Sequence, residues 1–392
     1  MNDNKSIPDV ILQPETLLKA AIDAEDLTDF GDESFRRPFE ILVKDLDEKA
    51  ELNAVGRFMQ CQRIINSLRN RLRMEQWIKR HPEILEEILL PAAVIVGLTR
   101  TGTTMLHRIL ASDARFFAPL WYEVRNPAPY MDWDINHPDQ RISEAKAEVS
   151  QMLEANPEIA AIHPMDPMGA DEEILLLEHS FFSYVANSFA HAPNYADYVA
   201  KANNTPAYDY LKKQLQFLQW QKRRRGETAE RWLLKAPHHL HFMSTLLTVF
   251  PDIQVIATHR DPAVTIPSTA SFYYNLWIMG NNNADKLLVG KEVADVFARG
   301  VQHTMTARKG RESQFFDVWF EDTVGKPFDV IQKMYDFINM EYTAEARAAM
   351  VAYRQENQRG DRPSHEYTLE EYGYSEKAIH AQYKDYRQRF IC

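Results

Sequence analysis

The stretch Ala92-Ala93-Val94-Ile95-Val96-Gly97-Leu98-Thr99-Arg100-Thr101-Gly102-Thr103-Thr104, followed by Met105 to Leu110, decides how the rest of the chain is read. An apolar, β-branched run ends at a glycine, a polar loop leads to a second glycine, and a helical pattern then begins. This predicts a strand over 92–96, a loop over 97–104 and a helix over 105–110. Glycines let a backbone turn tightly around an anion, and the N–H groups and dipole at a helix start favour negative charge there. The stretch reads as a phosphate cradle at the carboxyl end of a strand.

Working outward, short apolar runs at Trp232–Leu234, Ile253–Thr258 and Phe315–Phe320 are each followed by a polar turn and a helical pattern. In the last, Val330, Ile331, Met334, Phe337 and Ile338 fall on one face of a helix predicted over 328–338. Strands alternating with helices imply an α/β fold, a P-loop-type parallel sheet flanked by helices. Residues 1–90 carry helical spacing, as at Phe39, Leu42 and Leu46, and predict an N-terminal helical region packed on the core. The main domain then spans 91–392, with a helical insertion over 136–230 that covers the active site.

Composition narrows the partners. With 45% apolar and 26% charged residues, the 392-residue chain can bury a sizeable core. A net charge of −11 repels polyanions, so nucleic acid is not expected as a partner. The run Lys222 to Arg225 reads as a solvated helix end before Gly226. The apolar stretch from Ile88 to Leu98 is about half of the roughly 20 residues that cross a bilayer, and Pro91 interrupts it, so no integral membrane segment is expected. The opening residues lack a basic region followed by an apolar one, which makes a cytoplasmic setting the expectation. Cys61 and Cys392 are too few for a disulfide framework, and no His/Cys/Asp cluster has metal-ligand spacing. The sequence does not fix the oligomeric state, and a homodimer stays open.

The loop differs from that of nucleotide triphosphatases, Gly-x-x-x-x-Gly-Lys-Ser/Thr, whose lysine reaches the β- and γ-phosphates and whose hydroxyl holds magnesium. Thr103 stands in place of that lysine, and the cation sits inside the loop as Arg100. That displacement disfavours Mg-ATP chemistry. It resembles the 5′-phosphosulfate loop of sulfotransferases that use 3′-phosphoadenosine-5′-phosphosulfate (PAPS), where a Lys or Arg precedes a hydroxyl-glycine-hydroxyl-hydroxyl run.

A second motif follows the strand at 253–258. In Arg260-Asp261-Pro262, Asp261 suits an N-cap and Pro262 a first helical turn, so Arg260 stands where α/β sheets bind ligands. Ser268 lies eight residues after Arg260, and Pro267 predicts a kink or a late helix start. An arginine and a serine at this spacing match the 3′-phosphate signature of the same family. The chain thus resembles a bacterial PAPS-dependent sulfotransferase from about residue 90 onward. Segments around His163-Pro164-Met165, Asp171-Glu172-Glu173, Leu234 to Leu240 and Phe320-Glu321-Asp322 share the likeness. Leu98-Thr99-Arg100 departs from the usual x-Pro-Arg of that branch. The resemblance implies PAPS as co-substrate, without a metal, and Arg100, Thr101, Gly102, Thr103, Thr104, Arg260 and Ser268 as its binding residues. The Arg-Lys-Gly loop of cytosolic animal enzymes has no clear counterpart: Arg308-Lys309-Gly310 precedes a strand, and Arg359 and Arg362 are rivals.

Sulfuryl transfer needs placed cations and N–H donors around a loose in-line transition state, and Arg100 and Lys235 are the candidates. The acceptor hydroxyl needs a base. Glu123 resembles the glutamate that several sulfotransferase branches place shortly after the loop, and His239 resembles the histidine of the cytosolic Lys-x-His element. Of the two, Glu123 is preferred. Glu172 and Glu173 are further candidates, and His238 and His241 complicate the histidine assignment. Aromatic runs at Phe181–Tyr184 and Phe272–Met279 suit the wall of a pocket for a small lipophilic hydroxyl acceptor. The competing readings are a kinase using the same loop and a non-catalytic nucleotide-binding protein.

Overall fold

The computed structural model describes residues 8–155, 165–357 and 367–392. Five strands, β1 Ala92–Gly97, β2 Phe116–Phe117, β3 Arg231–Lys235, β4 Gln254–His259 and β5 Phe315–Trp319, form one parallel sheet in the order β2-β3-β1-β4-β5. The four strands expected from apolar runs lie within one residue of these bounds. β1 is central, and the chain crosses over it between β3 and β4. The carboxyl ends of β1, β3 and β4 therefore border one crevice, the place where open α/β sheets take ligands.

Why the strands read as nearly continuous apolar runs is visible in their burial: every residue of β1 is buried, because helices cover both faces. Side-chain alternation divides the core in two. Ala93 and Ile95 join Leu233, Ile256 and Val318 on one face, under Leu106, Ile109, Ile331 and Met334. Val94 and Val96 join Leu234, Val255 and Ala257 on the other, with Leu240, Leu246 and Phe297.

Helices α1 Pro14–Glu25, α2 Arg36–Glu48 and α3 Ala54–Arg80 precede the sheet. α3 is about 40 Å long at 1.5 Å per residue. Asn53 caps its start, accepting a 2.9 Å bond from Gly56 N, and Lys79 and Arg80 oppose the dipole at its end. Buried Arg71 donates to the carbonyls of Phe30, Asp32 and His179, tying the N-terminal helices to the segment between β2 and β3. That segment contributes α6 Gln140–Ala155 and α7 Thr205–Arg224, after α4 Thr103–Leu110 and α5 Trp121–Arg125. α8 Pro262–Trp277 follows β4, and α9 Pro327–Phe337 follows β5.

Two local expectations change. α4 starts two residues earlier than its periodicity implies, so Thr103 and Thr104 occupy the first turn, where amides have no intrahelical partner. α8 runs through Pro267 and starts at Pro262 rather than late. Asp261 accepts from Ala263 N at 2.9 Å and fixes that start, and Pro267 removes only the bond that would reach the first turn. Among the described residues, no helix is long and apolar enough to cross a membrane.

Candidate active site

Gly97 ends β1 against β4, so close that a Cβ there would lie 2.1 Å from Thr258 Oγ1. The loop then turns through two left-handed positions, Arg100 at φ 67° and Gly102 at φ 84°. Thr101 directs its hydroxyl inward, donating to Leu98 O at 2.7 Å and meeting Thr258 Oγ1 at 2.7 Å. Its side chain therefore shapes the loop, leaving the backbone and the α4 amides to face an anion.

The second motif closes on the first. Arg260 Nη1 donates to the carbonyl of Arg100 at 2.9 Å, and its guanidinium lies 3.8 Å from the centre of the Phe320 ring, which packs beside Gly102. Thr99 and Thr269 meet through their hydroxyls, which brings the helix turn carrying buried Ser268 against the same loop. Residues 160 positions apart thus share one site. Phe320 falls in a segment that shares the family likeness and Thr99 stands where that branch usually has proline, but neither signal says what the side chain touches. A chemical reason to look at Phe320 comes only once its neighbours are known.

From β3, Lys235 reaches Thr104 Oγ1 with Nζ at 3.1 Å and pairs with Glu172. Its backbone N–H donates to Glu173 at 2.7 Å. Glu173 also lies 2.7 Å from His239 Nε2, and His239 Nδ1 lies 2.8 Å from the Tyr208 hydroxyl. Burial alone would raise the Glu173 carboxyl, but His239 and the Lys235 amide outweigh it and hold it below its ordinary value. Burial pushes the Tyr208 hydroxyl well above its ordinary value, so it keeps its proton. An ionised Glu173 accepts from His239 Nε2–H, and Tyr208 donates to Nδ1. Both ring nitrogens of fully buried His239 are occupied, which leaves it no free nitrogen for an acceptor hydroxyl.

Glu123 is placed differently from the expectation for a base. It is fully buried, and Oε1 accepts from Lys222 Nζ at 2.9 Å and Arg225 Nη2 at 3.1 Å while Oε2 accepts from Leu120 N at 3.0 Å. Burial would raise its carboxyl, yet the two cations hold it below the usual range. Lys222, expected on a solvated helix end, is itself buried by this pairing. Arg308 is likewise engaged, with two bonds of 2.6 and 2.8 Å to Asp317 on β5. Arg359, Arg362, His163 and Pro164 lie outside the described residues.

Beside the loop opens a cavity of about 700 Å³ reached by Thr99 and Glu172. Its walls come from α3, α5, α6 and α8, with Phe272, Tyr273, Leu276 and Met279 from the expected aromatic run and Tyr184 from the other. Trp121 and Arg125 of α5 line it, whereas Glu123 does not. Phe181 and Phe182 belong instead to the core. No group of three His, Cys, Asp or Glu that could hold a metal occurs among the described residues.

Residues 91–344 match the profile of the Sulfotransferase family. The chain is 27% identical over 260 residues to omega-hydroxy-beta-dihydromenaquinone-9 sulfotransferase of Mycobacterium bovis, covering 64% of this chain and 63% of that protein. The same figures hold for the Mycobacterium tuberculosis protein. The match therefore spans less than two thirds of those relatives. The crystal structure of a sulfotransferase from Mycobacterium avium superposes with a TM-score of 0.87 at 24% identity, covering 98% of each chain. One from Mycobacterium tuberculosis gives 0.82 at 24% identity, covering 97% of this chain and 100% of that one, and both likenesses concern the fold.

Proposed function

The chain belongs to the sulfotransferase family, and from that premise we propose that it transfers the sulfuryl group of PAPS to a hydroxyl of a small lipophilic acceptor. The observation that supports this reading is the 2.9 Å bond from Arg260 to the Arg100 carbonyl, which brings the two candidate phosphate motifs together. In this reading the α4 amides, Arg100, Gly102, Thr103 and Thr104 hold the 5′-phosphosulfate, with Thr101 fixing the loop, and Arg260 and Ser268 hold the 3′-phosphate.

Lys235 stands at Thr104, where negative charge grows on the oxygen leaving sulfur, and offsets that charge. Glu172 is the base we assign in preference to Glu123 and His239, because it opens on the cavity and pairs with Lys235. The acceptor oxygen bonds to sulfur, the bond from sulfur to the 5′-phosphate oxygen breaks, and the acceptor proton passes to Glu172. The products are a sulfate ester and 3′-phosphoadenosine-5′-phosphate. Arg and Lys supply the neutralisation that a metal gives in phosphoryl transfer.

A lipophilic acceptor suits walls built from Phe58, Met59, Phe189, Phe272, Leu276 and Met279. The mycobacterial relative's name specifies a hydroxylated dihydromenaquinone, an acceptor of that kind. The N-terminal region 1–90 and the insertion 136–230 supply much of the wall through α3 and α6. A cytoplasmic setting suits the unpaired thiols Cys61 and Cys392.

Radiolabelled PAPS incubated with the protein and a metabolite extract tests the reading. Label should enter an extractable apolar product with equal release of 3′-phosphoadenosine-5′-phosphate. Magnesium-dependent turnover of ATP, with no transfer from PAPS, would replace it with the kinase reading.

A further inference from the structure

The chain after residue 344 lies beyond the family match, yet its last helix, α10 Lys384–Phe390, returns to the second motif and touches the residues on both sides of Arg260. The Phe390 ring stacks on that of His259, with 4.0 Å between centres and 9° between planes, and Arg387 Nη2 donates to Asp261 Oδ2 at 3.1 Å. Trp319, which precedes the Phe320 ring that meets the Arg260 guanidinium, donates its indole N–H to the Phe390 carbonyl at 2.6 Å. Buried Tyr386 completes the set, its hydroxyl 3.1 Å from His259 Nδ1 and bonded to the Arg260 backbone.

Chemistry fixes the direction of these bonds. Burial raises the Tyr386 hydroxyl above its ordinary value, so it keeps its proton. Burial also outweighs the Asp317 carboxylate at His259 and holds that imidazole below its ordinary value, so it is neutral. Its Nε2–H donates to Asp317 Oδ1 at 2.8 Å, and its Nδ1 accepts from the Tyr386 O–H. The tyrosine oxygen then accepts the one donor that the Arg260 backbone has, its N–H. Other groups fasten the same segment without touching the motif. Tyr383 donates to the Ala294 carbonyl at 2.9 Å in the helix Lys286–Ala307, and a Cβ on Gly290 of that helix would lie 2.2 Å from the Tyr372 carbonyl oxygen.

We propose that Tyr386 is a positioning residue of the donor site: it holds the Arg260 backbone so that the guanidinium is ready for a 3′-phosphate, and preference for a 3′-phosphorylated nucleotide depends on α10. This rests on the reading of Arg260 as the 3′-phosphate ligand. A long, flexible side chain gives selective binding only when its base and its neighbours are held in place, and α10 holds His259, Asp261 and Trp319 as well as Arg260 itself. Tyr386 acts through Arg260 and does not touch the donor.

Calorimetric binding of 3′-phosphoadenosine-5′-phosphate and of adenosine 5′-phosphate to wild type, Tyr386→Phe, Tyr383→Phe and Arg260→Ala tests this. Tyr386→Phe should weaken the bisphosphate roughly fivefold, the scale of one lost hydrogen bond, and leave the monophosphate unchanged. Tyr383→Phe removes a hydroxyl from the same segment, so both variants should melt lower, but Tyr383→Phe should keep the wild-type preference. Adding Tyr386→Phe to Arg260→Ala should change bisphosphate affinity no further, because the hydroxyl acts through that arginine. Should Tyr386→Phe fail to fold, Arg387→Met at a partly exposed position takes its place and should lower the preference about twofold. A wild-type preference in Tyr386→Phe or its substitute, an equal loss in Tyr383→Phe, or a full further loss in the Arg260→Ala background overturns the inference. A wild type with no preference for the bisphosphate sinks the 3′-phosphate reading of Arg260 instead.

Discussion

Two glutamate–lysine pairs, one fully buried and one opening on the cavity, differ in what surrounds them. Glu123 pairs with Lys222 at 2.9 Å, adds Arg225 and the Leu120 amide, and does not line the cavity that Trp121 and Arg125 reach. Glu172 pairs with Lys235, but the lysine's other partner is Thr104 in the phosphate loop and the carboxylate opens on the cavity. In composition the pairs are alike. What separates them is the remaining partner of each cation: a second carboxylate, Glu227, in one case and the proposed phosphate loop in the other. A carboxylate saturated by protein donors has nothing left to offer a substrate proton.

The comparison can be broken by substitution. Glu172→Gln should lower kcat by about 10²–10⁴-fold with 3′-phosphoadenosine-5′-phosphate affinity retained, as expected for loss of a general base. Lys235→Met should cost about 10²–10³-fold in kcat, the range for removing one electrostatic stabiliser of the transition state. Steady-state kinetics with PAPS and calorimetric binding check both. Glu123→Gln should leave kcat of the surviving folded enzyme within a few-fold of wild type while destabilising the fold by about 3–5 kcal/mol, since it takes the close carboxylate partner from buried Lys222 and leaves it only Glu227 at 4.0 Å. Denaturant titration measures that loss. A collapse of kcat with unchanged stability would return Glu123 to the active site.

A gentler test uses pH. Because the folded Glu123 and Glu173 carboxyls lie below their ordinary values, their stabilisation is fully present above the unfolded glutamate pKa of about 4.3 and is lost as pH falls through the folded values. Wild-type stability should therefore drop in acid below about pH 4.3, and Glu123→Gln should show a shallower drop. Identical acid profiles would mean that the Glu123 carboxyl is not held low.

Much of the sheet is legible in the sequence because a strand buried on both faces has to be apolar throughout, as Ala92–Gly97 is. The backbone shapes of the two motifs are legible for a similar reason: glycine at 102 and a proline after the Asp261 cap are local needs of the backbone. The base is not legible. Glu123 finds Lys222 99 residues away and Glu172 finds Lys235 63 residues away, so the role of each glutamate is set by packing that no local spacing encodes. His239 shows the same limit, since Glu173 and Tyr208, which occupy its nitrogens, come from the segment inserted before β3. Thr101 belongs here too, its hydroxyl taken by Thr258 on β4.

The central claim is that Arg100 and Arg260 grip opposite ends of one donor. Calorimetry of 3′-phosphoadenosine-5′-phosphate and of adenosine 5′-phosphate against wild type and Arg260→Ala tests it most directly. The account predicts that the wild type prefers the bisphosphate by at least about tenfold, the scale of one charge-assisted contact, and that Arg260→Ala erases the preference while still binding the monophosphate. An unchanged preference in Arg260→Ala, or ATP binding as tightly as the bisphosphate, would contradict it.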